Sequence, residues 1–345
     1  MCYRSKRLQT WVDQSNIFVL DLSTYLWSHT LKDPRSWAII NVALELGFRH
    51  LSAWTAGNAG FALATLVRVC NHFLSPAERL HVYAIYDPMD RSVDRAVERG
   101  LQQSDCRIIH VPSVRKTIFS PTELRAKVRD LAVAQTQTWN PSEYWDVTDG
   151  WDAVGMLMYR LLAAQVIRDL QPTHIVVPLG TGNLVTGILL GVKDCVQTGI
   201  SPTRIEVIGA LPHGENIIRQ IVRRKEKTPR YAPEGPPGKE PLMPKIACTY
   251  TPLAGCIDRF LDDDRLRFVE SSPRDQELAL VRLAEAAQGR RILAEPSSLA
   301  PFAALPTVAD EFLRGTSTER ILIVNSGCGI MSAKEQRYLD QALGR

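Results

Sequence analysis

Short apolar runs of strand length alternate with segments of helical period along most of the chain, and several of the joints between them carry glycine and asparagine. This order is that of a parallel sheet with helices packed on it. Ser36 to Gly47 has helical spacing in Trp37, Ile40 and Leu44 and stops at a glycine. His50 to Trp54 is strand-like, Thr55-Ala-Gly-Asn-Ala-Gly60 follows, then a helical stretch from Phe61 to Phe73 and a strand from Leu80 to Tyr86. A more polar region carries one strand (Arg107 to Val111) and one charged helix (Thr122 to Ala134). Near residue 150 the alternation restarts. Val154, Leu157, Met158, Leu161, Gln165 and Val166 form a helical stripe, read as core packing. A buried strand from Ile175 to Leu179 runs into Gly180-Thr-Gly-Asn-Leu184 and a helix, and Glu206 to Leu211 is again strand-like. Helices over Gln276 to Gln288 and Ala300 to Phe312 precede a strand, Ile321 to Val324, that ends at Asn325-Ser-Gly-Cys-Gly329.

At 345 residues the chain has room for two α/β units and needs no disulfide to hold a core. The expected division is a smaller unit over 36–149 and a larger one from 1–35 with 150–345. The segment 223–244, rich in proline and charge and without periodicity, is expected to be an exposed loop or lid. A net charge of +4 is too slight to indicate nucleic acid or an anionic membrane as partner, and no apolar run reaches membrane-spanning length. The 7 cysteines are an odd number without a Cys-x-x-Cys pair, so a reducing, cytoplasmic setting is expected. The histidines show no metal-ligand spacing, and no nucleophile elbow is present.

Two joints are suited to anions. Gly180-Thr-Gly-Asn-Leu184 lies between a strand and a helix, where glycines let backbone N–H groups converge and the helix terminus adds partial positive charge. Val185 stands where a dinucleotide fingerprint would want a third glycine, and the lysine of a P-loop is missing. An ordinary tight turn is the alternative. Thr55-Ala-Gly-Asn58 can hold a carboxylate, or Asn58 can simply cap a helix. Together the two joints fit a ligand that carries both a phosphate and a carboxylate and lies in a cleft between the halves. Lys32, in Thr30-Leu-Lys-Asp-Pro-Arg35, is by itself an ordinary surface lysine.

In this order the motifs resemble those of the fold-type II pyridoxal-phosphate enzymes, the superfamily of the tryptophan synthase β chain, cysteine synthase, threonine synthase and serine/threonine dehydratase. The likeness runs from Thr30 to Gly329, and Ala294-Glu-Pro-Ser-Ser298 is most similar to the threonine synthase group. It implies two three-layer α/β/α units with mostly parallel sheets, a homodimer, and pyridoxal 5'-phosphate as cofactor. Lys32 would then form the Schiff base, and Asn58 would contact the ring hydroxyl. Thr55, Ala56 and Gly57 would hold the substrate carboxylate. Gly180, Thr181, Gly182, Asn183 and Leu184 would bind the phosphate, and Ser326 would face the pyridine nitrogen. The activity implied is elimination or replacement at the β or γ carbon of an amino acid, threonine synthase-like; a cysteine synthase-like β-replacement or a non-catalytic cofactor-binding relative are the alternatives. Pro34 between Asp33 and Arg35, and Ala56 in place of a serine, depart from the family pattern.

Overall fold

His-Ile-Val-Val-Pro at 174–178 and Ile-Leu-Ile-Val-Asn at 321–325 are buried at every position. Such runs belong to strands covered on both faces. The computed structural model describes residues 2–13, 16–54, 57–86, 95–110, 121–136, 140–148, 153–201, 204–213, 218, 221, 251, 253–286, 294–313, 318–329, 331 and 333–342. The 223–244 segment and residues Thr55 and Ala56 lie outside them.

In chain order the elements are β1 (Cys2–Arg4), α1 (Lys6–Val12), β2 (Ile17–Asp21), α2 (Lys32–Leu46), β3 (His50–Trp54), α3 (Asn58–Asn71), β4 (His81–Tyr86), α4 (Arg95–Gln103), β5 (Arg107–His110), α5 (Pro121–Thr136) and β6 (Tyr144–Asp146). They continue with α6 (Ala153–Leu170), β7 (His174–Pro178), α7 (Asn183–Gln197), β8 (Glu206–Pro212), α8 (Ala254–Asp262), β9 (Leu266–Ser271), α9 (Pro273–Ala286), α10 (Ala300–Ala303), α11 (Leu305–Phe312), β10 (Ile321–Asn325) and α12 (Ala333–Ala342). Two compact units result. One takes Met1–Thr24, Met156–Cys328 and Glu335–Arg345, the other Tyr25–Gly155 and Gly329–Lys334.

The first unit is built on a six-stranded sheet of order β1-β2-β10-β7-β8-β9. Only β1 runs antiparallel, paired with β2; the rest are parallel. The second carries a fully parallel four-stranded sheet, β5-β4-β3-β6. Ile39, Ile40 and Ala43 of α2 and Leu63, Leu66 and Val67 of α3 cover one of its faces. Val128 and Ala132 of α5 pack with Tyr83, Ile85 and Ile109. This is the α/β class expected from the alternation.

The stripe on α6 has the right period and the wrong phase. Leu157 and Leu161 are exposed, and Tyr159, Ala163 and Ile167 are buried instead. The cause lies on α7. A Cβ on Gly187 would come within 2.7 Å of the Met156 carbonyl, and one on Gly191 within 2.7 Å of the Arg160 carbonyl. Two glycines one turn apart let the helix backbones meet there, and that close approach selects the buried face.

Candidate active site

In parallel α/β sheets, ligands bind beyond the carboxyl ends of the strands. Three of the motifs singled out in the sequence follow such ends. β7 leads to Gly180–Leu184, its neighbour β10 leads to Ser326, and β3 leads to the Thr55–Asn58 joint.

Gly182 is the N-cap of α7, with φ 91 and ψ −6. That left-handed conformation favours glycine, and a Cβ there would fall on Cδ1 of Ile257. No side chain caps the helix. The first turn of a helix points its N–H groups toward this end, where the helix dipole also favours an anion. The loop is braced from the segment ahead of α8: the Thr251 hydroxyl donates to the Thr181 carbonyl and accepts from the Leu253 N–H at 3.0 Å.

Ser326 follows β10 and sits in a hydrogen-bonded frame. Asp21, at the end of β2, accepts from the Ser23 N–H at 3.1 Å, the Ser23 hydroxyl at 2.6 Å and the Asn325 amide at 2.9 Å. The other end of the Asn325 amide accepts from the Gly327 N–H at 3.1 Å. Gly327, at φ 115, occupies a conformation suited to glycine. On the opposite side, the fully buried Ser298 hydroxyl lies 2.6 Å from the Ser326 hydroxyl and 2.7 Å from the Gly327 carbonyl.

In the second unit α2 begins at Lys32 itself, earlier than the Ser36 start read from periodicity. Pro34 falls in the first turn, where a missing N–H costs nothing. The turn before the helix is fixed by Asp33, whose carboxylate accepts from the Trp27 and Ser28 N–H groups at 3.0 Å each. The Thr30 hydroxyl receives the Lys32 N–H at 3.1 Å and pairs with Ser28 at 2.8 Å. Arg35 is fully buried; its guanidinium donates to the Val147 carbonyl, and its methylenes press on Gly155, where a Cβ would lie 2.8 Å away.

α3 begins at Asn58 after Gly57, whose φ of 127 also demands glycine. Asn58 is buried, and it shares Gly329 as a neighbour with Thr30: a Cβ on that glycine would lie 2.7 Å from both Asn58 Cγ and Thr30 Cγ2. The lysine-bearing turn and the Gly-Asn joint are thus brought together within one unit. Within the other, the glycine loop and Ser326 stand at the ends of adjacent strands.

Sequence reasoning gave no role to Thr251, Ser298, Asn325, Asp21 or Gly329. Ser298, Asn325 and Gly329 stand inside recognised motifs, and that position is their signal in the sequence. Thr251 and Asp21 carry no signature that marks them as site residues: beside local bonds to Leu253 and Ser23, it is the distant contacts with Thr181 and Asn325 that tie them to the site.

A family profile described as "Pyridoxal-phosphate dependent enzyme" matches residues 3–327. No curated protein sequence gives a significant match. Among solved structures, maize serine racemase aligns over 100% of this chain and 92% of its own at TM-score 0.70 and 13% identity. A fungal L-serine ammonia-lyase from Rhizomucor miehei aligns over 100% and 97% at 0.70 and 12%. An O-ureido-L-serine synthase aligns over 99% and 92% at 0.67 and 14%. At these identities the likeness is one of fold.

Proposed function

The chain belongs to the family of pyridoxal-phosphate dependent enzymes, with pyridoxal phosphate as cofactor, and from that premise we propose that it catalyses elimination or replacement at the β or γ carbon of an amino acid, in a threonine synthase-like manner. The residues fit the cofactor. An uncapped helix start at a left-handed glycine offers N–H donors for a phosphate, and an amine, a buried amide and a neutral hydroxyl stand at the other motif positions.

When bound, the cofactor supplies an aldehyde and an electron-withdrawing ring that make the α proton of an amino acid acidic. In the proposed reading Lys32 would hold the cofactor and would supply Nζ as the base for the α proton. Gly180–Leu184 would hold the phosphate oxygens, Asn58 the ring hydroxyl, and the Thr55–Gly57 joint the substrate carboxylate. Ser326 would face the ring nitrogen.

The carrying observation is that the group at the end of β10 is a hydroxyl already paired to another hydroxyl, with no carboxylate at that position. A neutral partner there would leave the cofactor's ring nitrogen without full positive charge. Electron withdrawal is then moderate, which favours prompt departure of a side-chain group over a long-lived carbanion. The homodimer and cytoplasmic location expected from the sequence are part of the same proposal.

The test begins with visible absorption of the purified protein mixed with pyridoxal phosphate, and with borohydride fixation of the cofactor. Serine, threonine, their O-acetyl and O-phospho esters, and O-phosphohomoserine follow, with 2-oxo acid, ammonium and new amino acid as readouts. Fixation lost in Lys32→Ala and leaving-group release in the wild type support the reading. Identical behaviour of the two proteins, or α-proton exchange without release of any group, would sink it.

A further inference from the structure

The Ser298 hydroxyl has one hydrogen and two neighbours. The Gly327 carbonyl can only accept, so at 2.7 Å it takes that hydrogen. The 2.6 Å contact with Ser326 then requires Ser326 to donate. Hydrogens therefore run from Ser326 to Ser298 to Gly327, and Ser326 has only lone pairs left to offer a third group. An unprotonated pyridine nitrogen needs the opposite, a hydroxyl that donates.

The frame around the pair permits reversal. The Gly327 carbonyl also receives the Glu295 N–H at 3.1 Å, so it stays bonded if the Ser298 hydrogen leaves. The Gly327 N–H is held separately by Asn325, so the loop keeps its place. Ser298 is anchored through its own backbone, whose N–H donates to the Glu295 carbonyl at 2.8 Å. Only two hydroxyl rotors need turn.

We propose that Ser298 is a positioning residue for cofactor binding: its hydroxyl swings from the Gly327 carbonyl to Ser326, which frees the Ser326 hydrogen for the ring nitrogen. In the reversed chain each hydroxyl polarises the next, so Ser326 becomes a better donor than an isolated serine. This rests on the reading that Ser326 faces that nitrogen.

The test is a double-mutant cycle on cofactor affinity, read by fluorescence titration, with Ser298→Ala, Ser326→Ala and the double variant. Visible spectra across pH and thermal unfolding of each cofactor-free protein accompany it. Expected are a roughly fivefold loss of affinity in Ser298→Ala, a shifted pH dependence of the visible band, and no further effect of Ser298→Ala once Ser326 is alanine. Ser298→Thr, which keeps the hydroxyl, should restore the spectrum. If Ser326→Ala changes affinity and spectrum while Ser298→Ala changes neither, or if the two losses simply add, the positioning role is overturned and the site reading stands. If Ser326→Ala has no effect in a protein that binds the cofactor, both fall.

Discussion

A Cβ built on Gly329 would fall on the side-chain oxygen of Asn58 and lie 2.7 Å from its Cγ. Thr30 Cγ2 is equally near, so an added methyl has no free side to move toward. Both neighbours are buried, and each belongs to a motif assigned to the cofactor. Gly329→Ala should therefore cost about 1–3 kcal/mol of stability as overpacking. By displacing Asn58 it should also weaken cofactor binding by about tenfold. Thermal unfolding without cofactor and titration with pyridoxal phosphate separate the two effects; affinity equal to wild type would remove Asn58 from the site.

Gly182 combines two constraints, one of backbone and one of space. Its φ of 91 penalises any L side chain by about 1–2 kcal/mol, and the added methyl also meets Ile257. Gly182→Ala should lose cofactor affinity by more than tenfold, since it distorts the N–H groups that open α7. Ile257→Val in that background relieves only the steric part. Full rescue by Ile257→Val, measured by titration, would show that the left-handed conformation is not needed.

Asp33 ties the turn ahead of Lys32 to the helix that carries it, through the Trp27 and Ser28 N–H groups. Asp33→Ala leaves the buried Ser28 N–H without this acceptor, a loss of roughly 1–3 kcal/mol. Denaturant unfolding should show that loss in the cofactor-free protein, with midpoint shifted and slope unchanged. Because the same turn presents Lys32, borohydride fixation of cofactor should slow as well. Unchanged fixation would mean that the lysine is placed by α2 alone.

What the sequence makes legible is local. Glycines at strand ends mark Gly57, Gly182 and Gly327 because positive φ values exclude most other residues there, and short runs of branched apolar residues mark the buried strands β7 and β10. What depends on distant partners stays hidden. The phase of α6 is set by Gly187 and Gly191 on another helix, and the three-residue strand β1 exists only because β2 pairs with it. The same holds at the site. Ser326 is readable from the Ser-Gly-x-Gly strand end, whereas its hydrogen-bond partner Ser298 lies 28 residues earlier in the chain.

His50, Tyr83 and His81 form a polar group inside the second unit's sheet that gives the fold a pH dependence of its own. The His50 Nδ1 lies 3.0 Å from the Tyr83 hydroxyl, and its ring stacks on His81 at 5.4 Å. Burial, then the neighbouring His81 and Arg107, push the His50 pKa from 6.5 down to about 4. His81 is lowered as well, by burial and by Arg107 and Arg79. The unfolded chain thus binds protons on His50 between about pH 6.5 and 4 that the folded chain does not. Stability is complete above the unfolded value and is lost as pH falls through that window, by on the order of 2–3 kcal/mol for His50. Urea unfolding of the wild type at several pH values should show the decline. In His50→Gln, which cannot titrate but can still bond Tyr83, the slope between about pH 6.5 and 4.5 should flatten by close to one proton. An unchanged slope would move the effect to His81 or to carboxylates elsewhere.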